Sequence, residues 1–326
     1  MIGSPGTLDP PVLSRMRHEI VDPAEDWETP VPSSVAGRLD PEGRGPRLVQ
    51  ATSEADLPPG VLRLLRYACG PLPLERTFLL AASARPVDRS CRRFVSTPVQ
   101  VLGFGERATG LWVDRGRRDP AAIVPVARIG AIEDLAVLRC RRLSVRAADV
   151  RLSVRYSSET GSLLLGALRW LRRRAAGDAQ GPVPPVGQCA VGADRIPGPW
   201  QQLIETLARD APPGGIATLF GRAPDVVGDG VARGALVGLT STELLVLVGP
   251  DATEAAEVAG PDVLAMVDRL AVPRHALQTV TAAGERLVIR AAGVERQVAI
   301  GATLARAAAE LLETAGPARR PLSVAR

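Results

Sequence analysis

The chain has 326 residues, 46% of them hydrophobic, which fits two folded domains and excludes a disordered protein. No run of 18 apolar residues occurs and no signal peptide opens the chain, so the sequence indicates neither a membrane span nor secretion. The four cysteines form no CxxC pair and are predicted to be small buried side chains in a reducing cytoplasm. We expect a cytoplasmic protein, with a peripheral place at the inner face of the membrane as the alternative.

Arginine supplies all 40 residues counted as lysine plus arginine, and the chain contains neither lysine nor asparagine. This bias is typical of a very GC-rich bacterial genome, of the actinobacterial kind, and it accounts for much of the arginine without any function. The charge is unevenly placed, however. Residues 76–174 hold 20 arginines and 8 acids, a net charge of +12, while the remainder holds 20 arginines and 27 acids, a net charge of −7. A basic region in an acidic remainder indicates an anionic partner.

Residues 1–56 are rich in proline and acidic residues, and their apolar side chains follow no period. The stretch from Asp22 to Trp27 places several acids beside a tryptophan. This composition predicts a flexible acidic tail. Two functional alternatives are an arm that lies on the basic region and masks it, and a segment that binds a partner.

Residues 57–174 form the first predicted unit. Pro58 and Pro59 open a short helix that Gly70 stops. A helix from about Ser158 to Arg174 closes the unit, with arginines in its last turn, where the helix dipole favours cations. Strands are expected between the two helices, at Thr77 to Ala82, Pro98 to Phe104, Ala108 to Val113 and Ile123 to Val126, with a hairpin over Leu143 to Tyr156.

Residues 175–198 have the proline and glycine content of a linker, and residues 199–315 form a second, acidic unit with its own leading helix, followed by a tail over 316–326. The second unit repeats the first. Leu143 to Tyr156 aligns without a gap with Leu287 to Ile300. Further matches join Val124-Pro125 to Val272-Pro273, and Leu164, Leu168 and Leu171 to Leu304, Ala308 and Leu311. We infer one architecture used twice.

Short strands followed by one amphipathic helix predict an α+β fold, in which each unit is a strongly bent antiparallel sheet or partly open barrel capped by a C-terminal α-helix. This pattern resembles the pleckstrin-homology-like (PH-like) superfold, including bacterial PH-like and GRAM-like domains, over residues 76–174 and again over 215–315. The resemblance rests on element order and on segments such as Val101 to Asp114 and Ile123 to Ile129. It implies a binding module for lipid headgroups, peptides or other domains. The basic pattern of phosphoinositide-binding PH domains does not map onto this chain.

Several motifs of catalysis or cofactor binding can be set aside. The segment Gly103 to Ala108 fits the GxGxxA form of a dinucleotide fingerprint, but a strand follows it where that site needs a helix, so we predict a strand bend. Glu133 and Asp134 are adjacent in a connecting segment and are predicted to be solvated rather than an acid and base pair. His275 is predicted to be structural. We expect no cofactor, no metal ion and no catalysis.

Arginine clusters in the first unit are the strongest functional signal. In the predicted sheet they fall in or beside turns, where side chains reach outward, and guanidinium groups bind phosphate or carboxylate through paired hydrogen bonds. The alternative is that they reflect genome composition on a solvated surface. The candidate residues for binding an anionic partner are Arg92, Arg93, Arg115, Arg117, Arg118, Arg139, Arg141 and Arg142.

These observations predict a non-catalytic interaction or scaffold protein whose basic first unit binds an acidic protein surface or membrane headgroups. The complementary charges of the units also allow two chains to pair as a homodimer. One alternative is a small-ligand-binding protein or enzyme with a pocket between the repeats, which a deep cleft with converging polar groups would favour. The other is a non-specific nucleic-acid binder, the weaker prediction because only 3% of the residues are aromatic.

Overall fold

The computed structural model describes residues 28–39, 45–86, 93–116, 120–137, 140–177, 181–184, 188–191, 195–224, 233–250 and 267–316. The helices in these ranges are α1 (Ser33–Leu39), α2 (Val61–Cys69), α3 (Leu164–Ala176), α4 (Gly198–Asp210) and α5 (Ala302–Ala315). None of the described helices is long and apolar enough to cross a membrane.

The described strands are β1 (Thr29–Val31), β2 (Leu48–Gln50), β3 (Thr77–Leu80), β4 (Ser83–Pro86), β5 (Phe94–Thr97), β6 (Gln100–Phe104), β7 (Ala108–Val113), β8 (Ala122–Pro125), β9 (Ala131–Val137), β10 (Cys140–Arg146), β11 (Arg151–Tyr156), β12 (Gln188–Ala190), β13 (Ile216–Ala223), β14 (Arg233–Thr240), β15 (Glu243–Pro250), β16 (Asp268–Pro273), β17 (Leu277–Ala283), β18 (Arg286–Ala291) and β19 (Val294–Ala299). The strands lie in four sheets, of order β2-β3-β6-β7-β8, β11-β10-β9-β16-β15-β14-β13-β12, β17-β18-β19 and β1-β5-β4. The α+β class is confirmed, and no sheet closes into a barrel within the described ranges.

The chain passes through the same order of elements twice. The first unit runs from α2 to α3 and the second from α4 to α5. Each has a leading helix, three strands of one sheet, a fourth strand that ends in a 3₁₀ turn, a three-stranded meander and a closing helix. The 3₁₀ turns are Val126–Arg128 and Arg274–Ala276. The first unit also carries the β4–β5 hairpin between β3 and β6.

The eight-stranded sheet joins the two units. Its strands β9, β10 and β11 belong to the first unit and β13 to β16 to the second, and the junction is the antiparallel pair β9–β16. Ile132 lies opposite Ala271, and Asp134 lies opposite Arg269. The apolar core of the first unit correspondingly includes Leu245 and Ala271 from the second. Because backbone hydrogen bonds and core packing both cross the boundary, the units share one folded body.

Glycines allow the leading helix α2 to pack closely on the first sheet. A Cβ at Gly105 would lie 2.5 Å from the carbonyl oxygen of Cys69, and one at Gly110 would lie 2.6 Å from the Cys69 Sγ. In the GxGxxA segment, strand β7 follows Gly103 and Gly105 in place of the helix that a dinucleotide site requires. The rejection of the GxGxxA match is therefore supported by a structural reason, which is close approach of the helix.

The prediction of a flexible tail over residues 1–56 is wrong for its described parts. Strand β1 pairs with β5, and β2 pairs with β3 at the edge of the five-stranded sheet. The side chain of Glu28 is buried against Arg85 of β4, whose Nε donates a hydrogen bond of 2.7 Å to Oε1 of Glu28. The sequence pattern missed these strands because three-residue strands are too short to show a period of two.

Two of the cysteines follow the prediction and one does not. Cys69 and Cys140 are buried, whereas Cys189 is exposed. Burial raises the pKa of the Cys69 thiol to about 11, which keeps it protonated. Cys91 lies outside the described residues.

Candidate functional site

Two of the predicted arginine clusters belong to loops that leave one end of the five-stranded sheet. Leu80 pairs with Gln100, and Gln100 pairs with Val113, so the loop from β3 to β6 and the loop from β7 to β8 begin side by side. The amide of Asp114 also donates to the carbonyl of Val99. We call the segment 81–99, which contains the β4–β5 hairpin, and the loop 114–121 the basic end of the first unit.

Two of the three described arginines of the basic end are exposed, and the third, Arg85, is buried against Glu28. Arg93 precedes β5 and Arg115 follows β7, and both are exposed. The placement agrees with the predicted turns for these two residues. Arg92, Arg117 and Arg118 of the same clusters lie outside the described residues. So does Arg139, which forms the third cluster with Arg141 and Arg142.

The third cluster lies on a different sheet, and its expected outward orientation is wrong for Arg141. Arg141 and Arg142 lie in β10 of the eight-stranded sheet, where Arg141 is buried and Arg142 is half-buried. The Nε of Arg141 donates to Oδ1 of Asp134 at 2.9 Å. Its Nη2 donates to the carbonyls of Asp134 and Val267, each at 2.8 Å. These contacts hold the guanidinium inside the junction between the units.

Asp134 is therefore a structural anion, and the prediction of a solvated carboxylate in a connecting segment is wrong. It lies in β9 and accepts a further hydrogen bond of 2.5 Å from the phenol of Tyr156. Burial opposes the charge of Arg141, but Asp134 more than offsets this and holds the pKa of Arg141 above its usual range. Burial, reinforced by Asp134, raises the pKa of the Tyr156 phenol above its usual range.

Glu133 makes the same kind of contact toward the second unit. Its carboxylate accepts two hydrogen bonds from Arg296 of β19, that from Nη2 being 2.8 Å long, and it lies 3.7 Å from Nε of Arg146. Burial lowers the pKa of Arg146 to about 10. The two adjacent acids thus contact different partners on opposite faces of β9, because side chains alternate between the faces along a strand.

A cleft of about 440 Å³ lies where α3 meets the second unit. Arg172 of α3 donates to both oxygens of Glu243, through Nε at 2.9 Å and Nη2 at 2.5 Å. Arg169 of the same helix lies 2.8 Å from Asp210, at the end of α4. Burial disfavours the charge of Arg172, but Glu243 more than offsets this and holds its pKa above its usual range.

Sequence reasoning missed the residues of the junction and the cleft. The apolar residues that surround Glu133 and Asp134, from Ala131 to Val137, were the signal for a buried strand. No local signal existed for the partners of Arg172, because Glu243 is 71 residues away. Comparison with protein-family models, curated proteins and solved structures finds no match to this chain.

Proposed function

We propose that this chain is a non-catalytic interaction or scaffold protein with two PH-like units, and that the basic end of the first unit binds an anionic partner. The observation that carries the proposal is that two arginine-bearing segments leave the same end of one sheet. Arg93 lies next to the turn of the β4–β5 hairpin in the segment 81–99, and Arg115 lies directly after β7 in the loop 114–121. Loops presented by a rigid sheet are suited to binding because the sheet fixes their positions while their side chains remain accessible.

The order of elements in both units supports the PH-like part of the proposal. Both units have four strands of one sheet, interrupted in the first unit by the β4–β5 hairpin, followed by a three-stranded meander and a closing helix. These are the elements of the bent sheet and capping helix that the sequence predicts. The regional charge supports the anionic partner. Residues 76–174 carry 20 arginines against 8 acids. Such a surplus attracts carboxylates or phosphates over several ångströms and raises association rates.

The third cluster is not part of the proposed surface. Arg141 is buried in the junction between the units, where it donates a hydrogen bond to Asp134. The binding residues are accordingly those of the two loops, Arg92, Arg93, Arg115, Arg117 and Arg118. Each guanidinium group can bind a carboxylate or phosphate through two paired hydrogen bonds.

A charge-reversal series tests the proposal. Arg115, Arg117 and Arg118 are replaced together by glutamate, and binding of the full chain is measured to phosphatidylserine vesicles and to poly-glutamate. The control reverses three exposed arginines of the second unit, Arg209, Arg222 and Arg306, which gives the same change in net charge.

We expect the first variant to lose binding at least tenfold while the control loses little, and added salt to weaken the wild-type interaction. Preference for vesicles indicates membrane headgroups, and preference for poly-glutamate indicates an acidic protein. Equal losses in the two variants would refute a surface at the basic end. Tighter binding to single-stranded DNA, with a steep dependence on salt, would favour the nucleic-acid alternative.

A further inference from the structure

The cleft beside α3 combines an apolar floor with charged walls, and both units line it. Leu207, Leu245 and Ala176 supply apolar surface. Thr242, in the turn between β14 and β15, adds a hydroxyl group. The volume of about 440 Å³ lies within the range of small-molecule sites. The cleft is distinct from the basic end, since none of the described residues of 81–99 or 114–121 lines it.

Three arginines of α3 face this cleft. Arg169, Arg172 and Arg173 are spaced three and one residues apart, so they occupy neighbouring positions on one side of the helix. Asp210 forms an ion pair with Arg169, and Glu243 forms an ion pair with Arg172. The two ion pairs fix the wall of the cleft and neutralise two of the three guanidinium groups.

Arg173 is the remaining cation. It is exposed at the cleft and makes no ion pair with any residue in the described ranges. An anion bound beside it would gain a paired, charge-assisted contact without displacing either ion pair. An apolar body attached to that anion would lie against Leu245, which is buried, and Leu207, which is half-buried. The hydrophobic gain comes from the part of Leu207 that is removed from water.

We propose that this cleft binds a small organic anion, a phosphate or carboxylate attached to an apolar or aromatic body. Its anionic group contacts Arg173 and its body lies on Leu207 and Leu245. Since α3 belongs to the first unit and the other residues to the second, the bound molecule bridges the units. Ligand binding therefore raises the resistance of the whole chain to unfolding.

Calorimetry of the full chain with 1-naphthyl phosphate tests the proposal. This probe carries the required anion and an aromatic body, and 1-naphthol is its neutral counterpart. We expect saturable binding of the phosphate, at least tenfold weaker binding of 1-naphthol, and at least tenfold weaker phosphate binding by Arg173→Gln. The control, Arg306→Gln, makes the same change at an exposed position of α5 and should leave the affinity unchanged.

Three results would overturn the proposal. They are the absence of saturable binding by the wild-type chain, an equal affinity for 1-naphthol, and an equal loss of affinity in Arg173→Gln and Arg306→Gln. Inorganic phosphate serves as a third probe, and it should bind at least tenfold more weakly because it lacks the apolar body. Equal affinity for inorganic phosphate would overturn the assigned ligand class. Unfolding curves of both variants establish that each is folded, since Arg173 and Arg306 are exposed.

Discussion

The two units cover the same strand edge in different ways. In the first unit the outer strand of the meander, β9, pairs with β16 of the second unit. In the second unit helix α5 packs along the corresponding strand, β17. An uncovered strand edge exposes unpaired backbone groups and invites association, so each unit covers it. The difference shows that the β9–β16 pair, rather than the repeated order of elements, joins strands of the two halves in the eight-stranded sheet.

The two acids of β9 have no charged counterparts at the corresponding positions of β17 in the second unit. Ile132 lies opposite Val145 and Val280 lies opposite Ile289, so Glu133 corresponds to Thr281 and Asp134 to Ala282. Thr281 is exposed and Ala282 is half-buried, whereas both acids are buried. The carboxylates therefore belong to the junction and not to the shared fold. Four experiments test this difference between the units.

The largest effect is expected from Asp134→Ala. The substitution leaves the buried Arg141 without its carboxylate and Tyr156 without its acceptor. Removal of one partner from a buried ion pair costs about 3–5 kcal/mol in the free energy of unfolding. Urea denaturation measures the loss, with Thr281→Ala in the second unit as the control, which should stay within about 0.5 kcal/mol. Similar losses would show that the junction has no special role.

Glu28→Ala should cost about 3 kcal/mol, because it removes the carboxylate partner of the buried Arg85. The same denaturation experiment measures it, with Glu54→Ala, an exposed change in the same N-terminal region, as the control. A loss below about 0.5 kcal/mol would mean that β1 is not a stable part of the first unit.

The ion pair between Arg172 and Glu243 should couple more strongly than the exposed pair within the second unit. A double-mutant cycle is expected to give about 1.5–3 kcal/mol for the bidentate cross-unit pair. The pair between Arg290 and Glu295 should give less than about 1 kcal/mol, because both side chains are largely exposed. The prediction is wrong if the two coupling energies are equal.

The smallest effect is a dependence on alkaline pH. The pKa of Tyr156 is raised in the folded state, so its stabilising contribution is complete below about pH 10 and is lost as the unfolded phenol ionises above that pH. Wild-type stability should therefore fall relative to Tyr156→Phe by about 1.4 kcal/mol per pH unit above pH 10. Denaturation at several pH values measures the slope. Tyr67→Phe, at the other, exposed tyrosine, is the control, and a flat difference for Tyr156→Phe would contradict the buried phenol.

Local pattern was sufficient for most of the elements. The leading helices α2 and α4 were predicted because proline is favoured near the start of a helix and their apolar residues share one side. Pro58-Pro59 precede α2, and Pro199 is the second residue of α4. The hairpins were predicted from strand composition and a turn, and the registers place the turns between Arg146 and Arg151 and between Ala291 and Val294. Strand β9 was missed because its two acids broke the apolar pattern.

Placement of the candidate surfaces was predictable only in part. The turns that carry Arg93 and Arg115 were expected from the chain, since they lie between adjacent strands. The burial of Arg141 was not expected, because a charged side chain is normally exposed. In the folded chain the neighbouring strand β9 supplies Asp134 as its buried partner. Local sequence pattern could not predict the cleft beside α3 either, because the residues that form its ion pairs are far apart in the sequence.

From the sequence alone one can predict the α+β class, the order of most elements in both halves and the concentration of arginine in the first half. These properties depend on neighbours in the chain, through hydrophobic period, turn residues and charge. Three features depend on the tertiary fold, namely the pairing of β9 with β16, the burial of Glu133 and Asp134, and the cleft beside α3. These features arise from contacts between distant residues, whose free energy depends on burial and partner geometry that no local window contains.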